Sequence, residues 1–292
     1  MHAPAPSTAR RAAGPGPSAG IGHLQLLAAS LALAGAGALA SDDLPQALPP
    51  EQEAVAITAA ETTGRAIFEH DRAAAVATDV AMAERAFKRD RRVRGWVTEA
   101  RDEGIAVTFI DETPSALYRV MVSPAGKAGP LQALDAPEAL SPYEAGASAA
   151  RATALATPFQ PCAKTYNTVV LPVESGAEGA ENVEGGWVVY LLPGTTRHDT
   201  VPIGGTYRME VRDGALVSQR AFTRSCISLQ RGPDTASMMI THLLDALPTE
   251  AHVHWSLWAG TPMYVSTPPA GSLWNIQLGV IRKLEKKGDG EP

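Results

Sequence analysis

The sequence predicts an α+β protein, with N-terminal Ala-rich helices followed by mainly antiparallel sheet. Two observations carry that reading. From Glu51 to about Asp90 the chain is rich in Ala and Glu and free of Pro, and Ile57, Ala60, Gly64, Ile67 and Asp71 recur every three or four residues, the period of one long or two shorter helices. From Gly95 onward the period changes to short β-branched and aromatic runs divided by turn residues, and helices segregated from antiparallel strands argue for α+β.

The elements follow in order. Gly95 to Val97, Ile105 to Ile110 and Ala116 to Val122 read as three antiparallel strands, separated by turns at Asp102 to Gly104 and Asp111 to Pro114. Pro124 to Pro142 reads as a Gly, Pro and Ala linker, and Tyr143 to Ala156 as a second Ala-rich helix. Strands are then expected at Val169 to Val173, Gly186 to Leu191 and Thr206 to Val211. The last of these passes through an Asp213-Gly214 hairpin turn into Ala215 to Phe222. Ser237 to Ala246 reads as a short helix stopped by Pro248. Strands are expected at Ala251 to Trp258, Met263 to Thr267 and Leu273 to Ile281, followed by a charged, disordered tail at 285–292. Trp96 with Tyr118 is echoed by Trp187 with Tyr207. The echo suggests two similar helix-plus-sheet units, over 41–142 and 143–284.

Residues 1–40 read as a secretory signal peptide. Arg10 and Arg11 precede an apolar run from Leu24 to Ala40, which ends in Ala38, Leu39 and Ala40 before Ser41. The run is interrupted by Gln25, Ser30, Gly35 and Gly37, and falls short of the roughly 20 strongly apolar residues of a membrane span. No membrane span is therefore expected after cleavage. No Cys stands at the cleavage point, as a lipoprotein requires, and the residues after Arg10 and Arg11 do not fit a twin-arginine signal. The expectation is a periplasmic or secreted bacterial protein. Losing Arg10 and Arg11 takes the net charge from -6 to -8, which argues against nucleic acid as a partner. Two cysteines, Cys162 and Cys226, remain in the exported part, and an oxidising compartment favours a disulfide between them.

The residues that point to chemistry lie near the C-terminus. On a strand, Val253, Trp255 and Leu257 would face a core while Glu250, His252, His254 and Ser256 share the other face; His242 and Asp245 would share one face of a helix. Two imidazoles and a carboxylate form a set that zinc accepts, so His252, His254, Glu250, His242 and Asp245 are the metal candidates. The same pattern also describes the solvated face of an amphipathic strand. Arg197, His198 and Asp199 occupy a turn, and Gly194, Gly204 and Gly205 lie between strands rather than opening a helix as phosphate loops do. Lys88 to Arg94 is a basic run at a helix end, where cations complement the helix dipole. Trp255, Trp258, Tyr264 and Trp274 cluster in hairpin-like sequence, with Trp258 expected on the outer face beside the histidines. No complete catalytic signature is present. The expectation is a non-enzymatic binding or structural protein that meets a protein or small ligand at the C-terminal hairpin; the rival is a zinc hydrolase built on His252 and His254.

Overall fold

A run of Ala, Glu and Ile with no internal Pro makes α1, Pro50–Ala83, the longest element of the computed structural model, which describes residues 44–173, 186–197 and 199–285. The expected signal peptide, His198 and the expected tail beyond Glu285 lie outside the described residues. At 34 residues, α1 extends about 50 Å. Pro50 opens it, Glu51 and Glu53 complement its N-terminal dipole, and a short α2, Arg85–Arg89, follows. Its buried stripe includes Ala60, Gly64, Ile67, Asp71, Ala74 and Ala81.

Two antiparallel meanders follow, each preceded by a helix. The first contains β1 (Gly95–Arg101), β2 (Gly104–Ile110), β3 (Ala116–Val122) and β4 (Gln132–Glu138), in that order. Then comes α3, Pro142–Ala156, opened by a capping box in which Ser141 and Glu144 bond each other's backbone. The second meander has the order β5 (Tyr166–Pro172), β6 (Trp187–Pro193), β8 (Tyr207–Arg212) and β9 (Ala215–Ala221); between β6 and β8, β7 (Thr200–Val201) leaves to pair with β10 (Leu229–Gln230). The helix-plus-four-strand order thus recurs, but the Trp and Tyr echo does not mark equivalent places. Trp96 and Tyr118 lie on strands separated by β2, whereas Trp187 and Tyr207 lie on the directly paired β6 and β8. The boundary expected at 142 falls at the start of α3, which fills the space between the meanders. Its Ala147, Ala150 and Ala154 join Val97 and Ile110 of the first sheet to Val170, Val189 and Met209 of the second in one cluster.

The last quarter of the chain corrects three expectations. Ser237 to Ala246 is not a helix: β11, Met238–Thr241, occupies its first half and a turn the rest. Glu250 to Ala259 is α4 rather than a strand. That helix is buried around nearly its whole circumference, so its sequence lacks the 3.6-residue stripe, and EAHVHWSLW imitates strand alternation. The expected strand Leu273 to Ile281 is two strands, β13 (Ser272–Gln277) and β14 (Val280–Leu284), reversed at Leu278 and Gly279, both with positive φ. With β12, Met263–Thr267, they form the sheet β11-β12-β13-β14, in which β11 and β12 are parallel and α4 is the crossover. Three further strands had no sequence signal: β4, which lies inside the predicted linker, and the short β7 and β10.

Helix α1 ties these parts together. Its second half lays Ala73, Ala77 and Ala81 on Val107, Phe109 and Leu117 of the first sheet. Its first half joins the main core through Ala60 and Ile67, with Tyr190 and Leu192 of β6, Val253 and Trp255 of α4, and Val265 and Ile276 of the last sheet. Polar ties reinforce this, because Glu61 accepts from the Ile281 amide at 2.6 Å and Lys283 pairs with Glu53 at 2.8 Å. At the crossing with α4, a Cβ on Gly64 would stand 2.5 Å from Val253 Cβ and 2.8 Å from the Glu250 carbonyl oxygen. Gly64→Val is therefore expected to destabilise the protein by about 2 to 3 kcal/mol through forced separation of the helices. A fall in denaturation midpoint at unchanged slope in urea would register it.

Candidate functional site

The zinc residues of the sequence reading are all placed; His242, Asp245 and His252 meet, while Glu250 and His254 contact other residues. The ring Nδ1 of His252 accepts the Thr249 backbone N–H at 3.0 Å, so this imidazole closes the first turn of α4. His242 stands edge-on to it at 4.6 Å between ring centroids and donates from Nε2 to Asp245 at 2.7 Å. Asp245 is also gripped by both terminal nitrogens of Arg220, at 3.1 and 2.6 Å. Burial opposes its ionisation, but the bonds from His242 and Arg220 outweigh that and hold it down at about 2. Glu250 turns elsewhere, accepting from the Tyr190 hydroxyl at 3.3 Å with Arg208 at 3.8 Å. His254 is fully buried against Trp255, and among the described residues neither ring nitrogen has a hydrogen-bond partner. Among the described residues, no three His, Cys, Asp or Glu side chains are arranged to hold a metal ion. The residues present do not fit zinc.

Other motifs resolve into structural roles. Cys162 and Cys226 form a disulfide, with S–S 2.07 Å. Gly204 and Gly205 let the chain pass beside it: a Cβ on the first would meet the Ile227 amide nitrogen at 2.0 Å, and on the second Cys162 Cβ at 2.5 Å. In the basic run, Arg92 binds Asp90 at 2.7 Å, while Lys88 and Arg89 sit in the last turn of α2. Arg197 pairs with Asp199 at 3.1 Å. Trp255 and Trp274 are core residues whose indole N–H groups reach Thr206 and Thr267, both at 2.9 Å.

Among several cavities, one of about 510 Å³ is lined by α1, by the start of β5, by the loop after β6 and by α4, and it contains a buried carboxylate. Its inner wall carries Asp71. This residue is 6% exposed, and its Oδ1 accepts from Asn167 Nδ2 at 2.9 Å. Among the described residues it makes no ion pair. Burial pushes the carboxyl up to about 6, against the opposing pull of the Asn167 amide. Beside it stand Trp255 and the half-buried Trp258, their rings 5.5 Å apart and edge to face. Lys164 and Arg197 also line the cleft. The rim is held by Gly194, which donates to the Thr165 carbonyl at 2.8 Å. The preceding residue of α1, His70, lines a separate cavity of about 240 Å³ against the first sheet, with Nδ1 at 2.8 Å from Thr98 Oγ1. Burial lowers this imidazole to about 4.

No family model, curated protein or solved structure matches the chain. A buried carboxylate with a perturbed affinity for protons, set in a cleft with aromatic walls, is the arrangement that binding sites favour. Asp71 has no second carboxylate beside it among the described lining residues, and no thiol. The arrangement is one that can hold a ligand. Sequence reading counted Asp71 only as a beat in the helical period. The available signal was its type, an acid four residues after Ile67 on the apolar stripe.

Two stability tests follow. Asp71 is raised from 3.8 to about 6, so the folded chain holds this proton more tightly. The stability associated with that proton is present below pH 3.8 and lost as pH rises through about 6. Asp71→Asn is expected to raise stability at pH 8 by up to about 3 kcal/mol, the equivalent of two pH units. The gain should shrink toward pH 4 in denaturant titrations. His254 moves the other way, lowered by burial from 6.5 to about 3, and its contribution is present above pH 6.5 and lost as pH falls toward 3. His254→Leu should relieve both orphaned nitrogens, add about 1 kcal/mol or more at pH 7, and flatten the acid limb of the melting-temperature profile.

Proposed function

We propose that the mature chain is an exported, non-enzymatic protein that holds a small polar ligand in the Asp71 cleft. The observation that carries this reading is Asp71 itself: a carboxylate 6% exposed, bonded to a neutral amide, on the wall of an open cleft of about 510 Å³. An uncompensated charge in such a place costs stability. Ligand binding gives that cost a use, since sites that act are commonly bought with lost stability. The site thus moves from the expected C-terminal hairpin to the junction of α1, β5 and α4, with Trp258 as the element both share.

Export is supported by the signal-like residues 1–40 and by the disulfide, a bond favoured outside the reducing cytosol. Among the described residues, no helix is long and apolar enough to cross a membrane.

The test combines processing with binding. Protein recovered from a secreting bacterial host is expected to begin at Ser41. Its melting temperature should rise with members of a broad panel of small polar metabolites, and the rise should vanish in Trp258→Ala and Asn167→Ala. Stabilisation that persists unchanged in both variants would place the binding elsewhere and overturn the reading.

A further inference from the structure

Asp71 poses a question that its surroundings answer in part. Among the described residues, the charged side chains lining the cleft besides Asp71 are Lys164, from the segment before β5, and Arg197, from the loop after β6; α4 contributes two indoles and β5 an amide. Lys164 is exposed, and Arg197 is already paired with Asp199 at 3.1 Å. Neither forms an ion pair with Asp71 among the described residues. The cleft therefore carries an inner negative charge, without a cationic partner among the described residues, and an outer positive charge, with an aromatic wall.

A ligand that matches this order has a cation at one end and an anion at the other. A buried carboxylate bonded to one neutral amide gains most from a donor that carries positive charge, because charge-assisted bonds are roughly twice as strong as neutral ones. An ammonium beside an indole also gains cation–π attraction. A sugar would find the indoles but leave the charge uncompensated. A diamine would meet Lys164 with like charge.

We propose that the cleft binds a small primary amine with an anionic far end, an amino acid or short peptide, with its ammonium against Asp71. This rests on the reading that the cleft is a ligand site, and names the class of ligand. Asp71 acts as the counter-ion, the Asn167 amide keeps its carboxylate oriented, and Trp258 contacts the apolar part. Lys164 selects the carboxylate end. Because the bonded form of Asp71 is the carboxylate, and burial holds its carboxyl at about 6 in the empty protein, binding weakens in acid.

Isothermal titration of the mature protein with four probes tests this: leucylglycine, N-acetyl-leucylglycine, cadaverine and maltose. Leucylglycine should bind at pH 7.5 and at least tenfold more weakly at pH 5. Acetylation of its amine, or Asp71→Asn, should each cost tenfold or more, and Lys164→Ala should bring leucylglycine and cadaverine closer together. The Asp71→Asn protein must melt at or above the wild-type temperature for its loss to count, which the stability argument above leads us to expect. Equal binding of the acetylated dipeptide, or tighter binding of cadaverine, would overturn the assignment. Maltose binding that depends on Trp258 but not on Asp71 would overturn it while leaving the cleft standing as a ligand site. Binding of no probe would overturn it as well, and the broad metabolite panel would then decide the cleft separately.

Discussion

The crossing of α1 and α4 at Gly64 is the constraint from which the rest of the arrangement follows. With no Cβ at that position, the Val253 side chain and the Glu250 carbonyl can come against the backbone of α1. The close approach brings the middle of a 34-residue helix alongside α4, and Asp71 further along α1 then lines one cleft with Trp255 and Trp258. Asp71 is two turns beyond Gly64, so the depth of the cleft and the burial of its carboxylate are set by how closely two backbones pass at a distance. The same helix carries on to cover the first sheet with a row of alanines, whose small size lets the helix lie close to the strands.

The second sheet supplies the opposite wall. Both of its faces are covered, Tyr190 and Leu192 toward α1 and α4, Val189 and Leu191 toward α3. That explains the unbroken apolar run from Trp187 to Leu192, where one-sided burial would give alternation. A strand held on both faces is a firm mount for the loop that follows it, and Gly194 ties that loop back to Thr165. The cleft is thus framed by rigid elements at three sides, as sites that hold a ligand in one pose need.

How much of this was legible varies with the physics of each segment. The N-terminal helix was readable from its apolar stripe, and the three strands after it because β-branched and aromatic runs are bounded there by turn residues, although both faces of β2 are buried. Asp213 and Gly214 were readable because paired positive-φ residues have few rivals as a hairpin turn. The cysteine pair was readable from its even count and the expected export, though its geometry was not. β4 escaped because it is an edge strand with almost every side chain exposed, so neither burial nor alternation marks it. α4 escaped for the opposite reason. It is buried nearly all round, and a period cannot be seen when both faces are apolar or, like His252 and His254, polar yet enclosed. The mistaken strand there put two histidines on one face and created a metal set that the helix takes apart. Asp71 was in plain view on the stripe, but a periodicity count treats an acid and an alanine alike.

His70 and Asp71 are consecutive on α1 and turn into different cavities, one against each sheet. Their proton affinities are displaced in opposite directions over nearly the same interval, the imidazole from 6.5 down to about 4 and the carboxyl from 3.8 up to about 6. On unfolding in that interval the first takes up a proton and the second releases one. The two slopes oppose each other, so the midpoint of the helix is nearly indifferent to acidity although it contains two buried ionisable groups. Filling the cleft with a cation would end that balance by drawing Asp71 back toward ordinary carboxylate behaviour, leaving the proton uptake of His70 on this helix unopposed.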